Sequence, residues 1–434
     1  MNLPQRDKDS RIGRLPRLWA RLTRLRPWRI GPGFITGVAD DDPSGIATYS
    51  QAGAQFGLNM LWTMPLTYPM QSAIQSVCAR IGRVTGKGLA ANIKASFSPA
   101  ILYAVVGLLL IANILNIAAD IAAMGEVGEL TSGIDRHLVS FGFVVLTLVL
   151  QIFVPYDRYV SYLKWLCLSL LAYGAVLFTV HVPWGEVALR TFWPHLEFNA
   201  DEAAMVVALF GTTISPYLFF WQASEEVEDL LEKPTLRDDP AGAKSELSRI
   251  ATDTWTGMAY SEVAAYCIIL ATAVTLHVSG KTQIDTAAQA ADALRPLAGP
   301  FASTLFSLGI IGVGLLSVPV LAGSGAYALC EVFGWTFGLE RKPAEARGFY
   351  GIIFASVAAA VAIQYSPVTP MRALFWSAVI NGVVAVPLIV VVALLAGRKS
   401  VMGEFTASRS ILALCWTGAA IMGAAAVWMF LPGH

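Results

Sequence analysis

The chain has 434 residues, of which 56% are hydrophobic and 14% charged, against about 25% charged in an average soluble domain. Thirty Lys and Arg balance thirty Asp and Glu, and a water-soluble chain this apolar and this neutral would precipitate. These figures exclude a soluble enzyme, a disordered scaffold and a nucleic-acid binder, whose basic excess is missing, and they place the chain in a lipid bilayer.

Residues 1–30 carry Arg11, Arg14, Arg17, Arg21 and Arg24 at a spacing of three to four, with Leu and Trp between them. No short apolar core with a small-residue cleavage site follows, so this is not a signal peptide. The pattern predicts a cationic amphipathic helix on the inner membrane surface. A spanning helix needs about 20 apolar residues. Eleven stretches qualify, at 31–56, 58–80, 98–124, 138–155, 160–181, 203–223, 255–278, 300–330, 346–365, 371–396 and 409–431. Aromatic residues between spans, such as Trp184, Phe192 and Trp193, suit the membrane interface. The one long polar connection, 225–253, holds Glu225, Glu226, Glu228, Asp229 and Glu232. It reads as a solvated linker, with concentration of cations at the inner mouth as the alternative. The five cysteines (78, 167, 267, 330, 415) are scattered through or beside apolar stretches without a CxxC pair, which argues against disulfides or a zinc site.

With the N-terminus inside, the inner segments hold 25 Lys and Arg and the outer loops hold five: Arg136, Arg190, Lys281, Arg295 and Arg372. This bias predicts a cytoplasmic N-terminus and an extracytoplasmic C-terminus.

Two spans stand apart. The first contains Asp40, Asp41, Asp42, Pro43, Ser44 and Gly45, and the sixth contains Gly211, Thr212, Thr213, Ile214, Ser215, Pro216 and Tyr217. Each has a helix breaker at mid-membrane depth, where irregular backbone is tolerated only if it lines a cavity or is buried in protein. The breaks lie five spans apart, which gives the two halves opposite orientation. That is the pattern of inverted repeats with a binding site between two discontinuous helices. Two ordinary proline kinks are the alternative. The expected organisation is a membrane-surface segment (1–30) and one transporter domain (31–434). Within that domain, residues 31–181 and 203–396 are the two five-helix repeats and 409–431 an added helix.

Asp42 is the leading candidate ligand. An ionisable group inside a span costs about 2.5–3.5 kcal/mol on insertion scales and is functional by default. Beside an unwound turn its carboxylate joins freed carbonyls, a combination suited to a cation. Asp40 and Asp41 cannot face the same point and read as structural or electrostatic. Thr212, Thr213 and Ser215 offer hydroxyls, although Ser and Thr in helices also bond back to the previous turn. Ser44 and Gly45 leave room. Asn113, Asn116 and Asp120 lie in the third span and Asn381 in the tenth. Asp120 and Asn381 could complete a polar site, with helix–helix hydrogen bonding as the alternative. Glu126 and Glu129 read as vestibule or surface groups. No His, Cys or Met lies in either break, so the soft and borderline ligands of transition metals are missing. Oxygen donors favour a hard ion such as Mg²⁺, Ca²⁺ or Mn²⁺, and Mg²⁺ commonly keeps waters while touching one or two carboxylates.

Gly31, Pro32, Gly33, Phe34 and Ile35 leading to Asp42, Pro43, Ser44 and Gly45 resemble the first helix of the Nramp (SLC11-type) divalent-metal transporters, whose pattern is Asp-Pro-Gly-Asn. The stretch from Thr212 to Tyr217 resembles that family's Ala-Thr-Val-Met-Pro-His, and Ala119, Asp120, Ile121 and Ala122 resemble its Thr-Asp-Ile-Ala. The resemblance implies a leucine-transporter-type fold and alternating access, in an all-α polytopic membrane protein with broken helices 1 and 6. It carries Asp42 over as the ion ligand and Gly45, Thr212 and Ser215 as positions lining the site. The departures are Gly45 for Asn, Ser215 for Met, Tyr217 for His, Ala123 for the acidic residue linked to proton transfer, and Ala378 for the tenth-helix Gln. They resemble the Nramp-related magnesium transporter branch, with a wider site and no evident proton coupling.

The expectation is a transporter and not an enzyme. It would carry Mg²⁺ and also Mn²⁺, without a cofactor or nucleic-acid partner, as a monomer in the inner or plasma membrane. Supporting groups would be Ser44, Thr213, Asp120 and Asn381. The alternatives are a proton-coupled Mn²⁺/Fe²⁺ transporter and an amino-acid or organic-solute carrier on the same fold.

Overall fold

The computed structural model describes residues 31–154, 168–196, 199–228, 234–339, 341–363 and 368–430, and these are helical apart from short connections. Residues 1–30, and much of the fifth expected span, lie outside the described residues. Seven helices among the described residues are long and apolar enough to cross a membrane. The first expected span is divided into helices of 9 and 14 residues around three aspartates, and the ninth has a helix of only 17 residues. The second is a full 23-residue helix, Thr63–Thr85, but carries many polar side chains.

The first span forms α1 (Pro32–Asp40) and α2 (Pro43–Phe56). Proline disfavours a helical conformation in the residue before it. Asp42 is accordingly extended, at φ −71° and ψ 172°, and Asp41 leaves the helical region at ψ 59°. The helix restarts at once because Pro43 occupies the first position, where a missing N–H costs nothing, and the Asp42 carboxylate caps the new N-terminus. There follow α3 (Thr63–Thr85), α4 (Leu89–Ser96), α5 (Pro99–Ser132) and α6 (Arg136–Phe153). The sixth span repeats the break: α7 (Ala200–Thr213) ends at Ile214, whose ψ is 60°, and α8 restarts at Pro216 (Pro216–Glu228). The remaining long helices are α9 (Ala243–Thr272), α10 (Ala302–Phe333), α11 (Arg347–Ile363), α12 (Pro370–Gly397) and α13 (Arg409–Met429).

The broken helices sit at the centre. α1 and α2 pack on α9, α8 packs on α3 and α10, and α7 packs on α12 and α13. α5 bridges to α10 and α12. Lipid offers no hydrophobic drive between helices, so close backbone approach at small residues carries the association. Gly37 of α1 meets the backbone of Gly257 of α9, and Gly211 of α7 meets Ala378 and Gly382 of α12. On the outside, α6 buries only Ser140, Val144 and Thr147 and turns Phe141 and Phe153 outward, as a lipid-facing helix should. Trp184, Phe192 and Trp193 are likewise exposed on and after the short helix Trp184–Phe192.

The polar connection differs from the linker expected at 225–253. α9 begins at Ala243, well before the apolar residues do. Glu226 is fully buried and pairs with Arg249 at 2.7 Å, while Arg83 of α3 pairs with Glu246 at 3.3 Å. Glu228 accepts from Tyr327 Oη at 2.6 Å and from the Leu339 amide at 3.1 Å. These charges tie helix ends together. Hydropathy does not register such pairing, so they resemble a solvated loop in the sequence.

Candidate functional site

Each proline removes one helical N–H and so frees the carbonyl four residues earlier. For Pro43 that carbonyl is Ala39 O, which accepts from Tyr217 Oη at 3.1 Å. For Pro216 it is Thr212 O, which accepts from Ser215 Oγ at 2.8 Å. The two broken turns therefore face one another, with a tyrosine of the second satisfying a carbonyl of the first.

Asp42 is buried between them, 1% exposed. Its Oδ1 accepts from Ser44 Oγ at 2.6 Å and from the Gly45 amide at 2.8 Å. Its Oδ2 accepts from Asn116 Nδ2 of α5 at 2.8 Å, with Tyr217 Oη at 3.5 Å. Asn116 is itself fixed by Ser377 of α12, whose hydroxyl donates to Asn116 Oδ1 at 2.7 Å. Three elements, α2, α5 and α8, thus converge on one carboxylate, and among the described residues no basic side chain does. The N-terminus of α2 favours its negative charge by about 0.3–1 kcal/mol, more where it is buried. The C-terminal carbonyl ends of α1 and α7 favour a cation by the same rule.

The other expected residues separate by how their polar atoms are used. Thr212 is buried with an unpartnered hydroxyl, and a side chain at Gly45 would come within 3.2 Å of that oxygen. The missing side chain at Gly45 therefore lets Thr212 Oγ1 and Asp42 Oδ1 approach the same point, 3.2 and 3.6 Å from where a Cβ would stand. Thr213 Oγ1 donates to Leu209 O at 2.9 Å, and Ser215 Oγ donates to Gly211 O and Thr212 O. Both hydroxyl protons are spent on backbone, although the oxygens keep lone pairs. Asp120, one turn beyond Asn116, accepts from Ser317 Oγ at 2.9 Å and leaves its second oxygen unpartnered. Asn381 is buried one turn beyond Ser377, with its Nδ2 unpartnered. Glu126 accepts from the Ala287 amide at 2.8 Å and so anchors the short helix Ala287–Ala291.

Asp40 and Asp41 are both fully buried and face away from Asp42's partners. Asp40 Oδ2 accepts from Gln71 Nε2 of α3 at 2.5 Å and from Ser261 Oγ of α9 at 2.8 Å, and Asp41 Oδ1 lies 3.0 Å from the same hydroxyl. Glu262, next in the chain to Ser261, is buried and was missed in the sequence, although an ionisable residue twenty positions into α9 carries the same membrane cost as Asp42. Asn116 was seen there but given no role. Its signal was the i, i+4 spacing to Asp120, which puts both on one helix face.

Among the described residues the cysteines Cys78, Cys267, Cys330 and Cys415 are free, and no three His, Cys, Asp or Glu converge as a metal centre on their own. A cation held between the breaks would be bound by one carboxylate and neutral oxygens.

The profile of the family described as "Natural resistance-associated macrophage protein-like", Nramp, matches residues 33–432. The chain belongs to the Nramp family. A protein of Bradyrhizobium diazoefficiens named "Divalent metal cation transporter MntH" is 26% identical over 93% of this chain and 88% of its own length. The Eremococcus coleocola manganese transporter, solved with an aromatic bis-isothiourea substituted compound, superposes with a TM-score of 0.74 at 16% identity, covering 92% of this chain and 85% of that one. Mhp1, a nucleobase-cation-symport-1 family transporter in a closed conformation, superposes at 0.55 with 12% identity over 92% of each chain. The fold is that of the leucine-transporter type, with two inverted five-helix repeats, an eleventh helix and broken first and sixth helices. In this Nramp chain those breaks are α1/α2 and α7/α8.

Proposed function

We propose that this protein carries divalent metal cations, Mg²⁺ foremost and Mn²⁺ as well, across the cell membrane by alternating access and without proton coupling. The observation that carries the reading is the Asp42 carboxylate. It is buried at a helix break, without an ion pair to a basic side chain among the described residues, and it faces the unpartnered Thr212 hydroxyl across Gly45, which has no side chain. Relatives named divalent metal cation transporters and manganese transporters support the class of substrate. The preference for Mg²⁺ rests on what stands at the family's motif positions: Gly45, Ser215 and Tyr217 remove amide, thioether and imidazole donors and leave hard oxygens. Thr212 and Ser215 line the ion's path, and Ser44, Thr213, Asp120 and Asn381 support it.

In the same reading the N-terminus is cytoplasmic and the C-terminus extracytoplasmic, since 25 of the thirty basic residues then lie inside. Residues 31–181 and 203–396 are the repeats, 409–431 is the added helix, and the carrier is a monomer.

The rival reading, proton-coupled Mn²⁺ transport, draws on Asp120, whose carboxylate keeps an unpartnered oxygen near Asp42. Proteoliposomes with internal Mg²⁺ and pH indicators separate the two. Uptake of Mg²⁺ without acidification of the lumen, abolished by Asp42→Ala, is the expected result. Uptake in the Asp42→Ala variant equal to the parent would sink the assignment, and metal-driven acidification would favour the rival.

A further inference from the structure

Asp42 has one oxygen left for an ion. Its Oδ1 accepts from Ser44 Oγ and from the Gly45 amide, and is spent on the cap of α2. Its Oδ2 has one close donor among the described residues, Asn116 Nδ2 at 2.8 Å. Tyr217 Oη stands farther off at 3.5 Å and lies nearer to Ala39 O. Asn116 is fully buried on α5. A carboxylate only accepts, so the amide presents its nitrogen to Oδ2 and its oxygen the other way. That N–H partly meets the need of a buried carboxylate for positive charge. With a divalent cation at Oδ2 the same N–H would be repelled.

The far side of the amide accommodates either orientation. Ser377 Oγ, buried on α12, lies 2.7 Å from Asn116 Oδ1 and 2.8 Å from Leu374 O. A hydroxyl has one proton and two lone pairs, and here two acceptors compete for that proton. With the proton on Asn116 Oδ1, the amide faces Asp42 with its nitrogen. With the proton on Leu374 O, the hydroxyl oxygen can accept from Asn116 Nδ2, and the amide faces Asp42 with its oxygen. The distance fits as well. A half-turn of the amide puts Oδ1 where Nδ2 stands, 2.8 Å from Asp42 Oδ2. Neighbouring oxygens around an octahedral ion with bonds of about 2.0–2.1 Å lie about 2.8–3.0 Å apart. Two bare oxygens at that distance repel, so the turned amide needs the ion.

We propose that Asn116 is a ligand of the transported cation, an inference that rests on the reading of Asp42 as the ion's carboxylate. As the ion arrives, the amide turns over. Its Oδ1 joins Asp42 Oδ2 on the metal, its Nδ2 donates to Ser377 Oγ, and the Ser377 hydroxyl rotates to donate to Leu374 O. A carboxylate and an amide oxygen are both hard donors and suit Mg²⁺. Gly45 removes the amide of the family's first-helix motif, and Asn116 returns one from α5. Ser377 carries the change to α12, so two spans outside the breaks register whether the site is filled.

The test exchanges a hard donor for a soft one. Calorimetric titrations with Mg²⁺ and Cd²⁺ compare the purified full-length wild type with Asn116→Ala, Asn116→Cys and Asp42→Asn. Losing the amide oxygen should raise the Mg²⁺ dissociation constant roughly tenfold to a hundredfold in both Asn116 variants. A thiolate at a ligand position selects a soft ion. Asn116→Cys should therefore bind Cd²⁺ about tenfold more tightly than Asn116→Ala, with a thiolate-to-Cd²⁺ ultraviolet band beyond that of the five native cysteines. A residue that only holds Asp42 in place gives no such rescue. If the rescue and the band are missing while Asp42→Asn loses Mg²⁺, the inference is overturned and the reading of Asp42 stands. If Asp42→Asn binds Mg²⁺ like the parent, that reading fails, and the Cd²⁺ band in Asn116→Cys decides Asn116 by itself. Should the Asn116 variants not fold, the wild type replaces them, labelled with ¹³C at the asparagine side-chain carbonyls and loaded with Mn²⁺. Electron–nuclear double resonance should then show a ¹³C coupling of the size that direct ligation gives, and its absence overturns the inference.

Discussion

The smallest residue at the site sets its size. A Cβ at Gly45 would stand 3.2 Å from both Thr212 Oγ1 and Tyr49 Cε2, tighter than ordinary contact. Gly45→Ala should therefore narrow the space beside Asp42 at a stability cost of about 1–3 kcal/mol, the usual range for overpacking. In calorimetric titration Mg²⁺ affinity should fall more than Mn²⁺ affinity, because the ion that keeps its waters needs the larger space. Gly45→Asn with Ser215→Met should push the same ratio further toward Mn²⁺, and an unmoved ratio would place ion selection outside the breaks. At this scale the sequence was informative about Asp42, since an unpaired carboxylate beside proline at mid-membrane depth is costly wherever the chain goes. It was silent on which hydroxyls are free. Thr213 and Ser215 turn back on their own helix while Thr212 does not, and only the rotamers chosen in the packed protein decide that.

Among the elements, the crossing of α1 and α9 holds the first half-helix in place. Gly37 and Gly257 bring the two backbones together, and no side chain fits between them. Gly37→Val should cost about 3 kcal/mol or more, the upper end for overpacking, read as a lowered melting temperature or loss of the monodisperse peak in detergent. Gly418→Ala, whose nearest neighbour would be Met70 Cβ at 3.5 Å, should leave both unchanged. The breaks themselves were legible, because proline acts on its own neighbours: the missing N–H and the ring clash end a helix whatever surrounds it. The polar stretch after α8 was not. Glu226, Glu246 and Arg249 read as solvated charges, and they become parts of a partly buried network only when α3, α8 and α9 meet.

For the whole molecule, the relevant charge quantity is its distribution along the membrane normal. A carrier that moves a divalent ion alone does electrical work of about 2.3 kcal/mol per charge per 100 mV, so about twice that per ion. Imposing an inside-negative potassium diffusion potential on oriented proteoliposomes should accelerate Mg²⁺ entry, and collapsing it should slow entry, at constant pH on both sides. Flux indifferent to the potential would argue for an accompanying counter-movement of charge. The sequence by itself determined that this chain lives in a bilayer, that its first and sixth spans are interrupted, and that Asp42 stands at one interruption. Those conclusions follow from transfer free energy and proline geometry, which depend on residues near in the chain. Tertiary structure alone decided that Asp42 is met by Asn116, 74 residues away, and that Asn116 is fixed by Ser377, 261 residues away. It likewise decided that Asp40 and Asp41 turn to Gln71 and Ser261. A hydrogen bond is made across a few ångströms of space between groups with no fixed separation in sequence, so its partners are known only when the helices have packed.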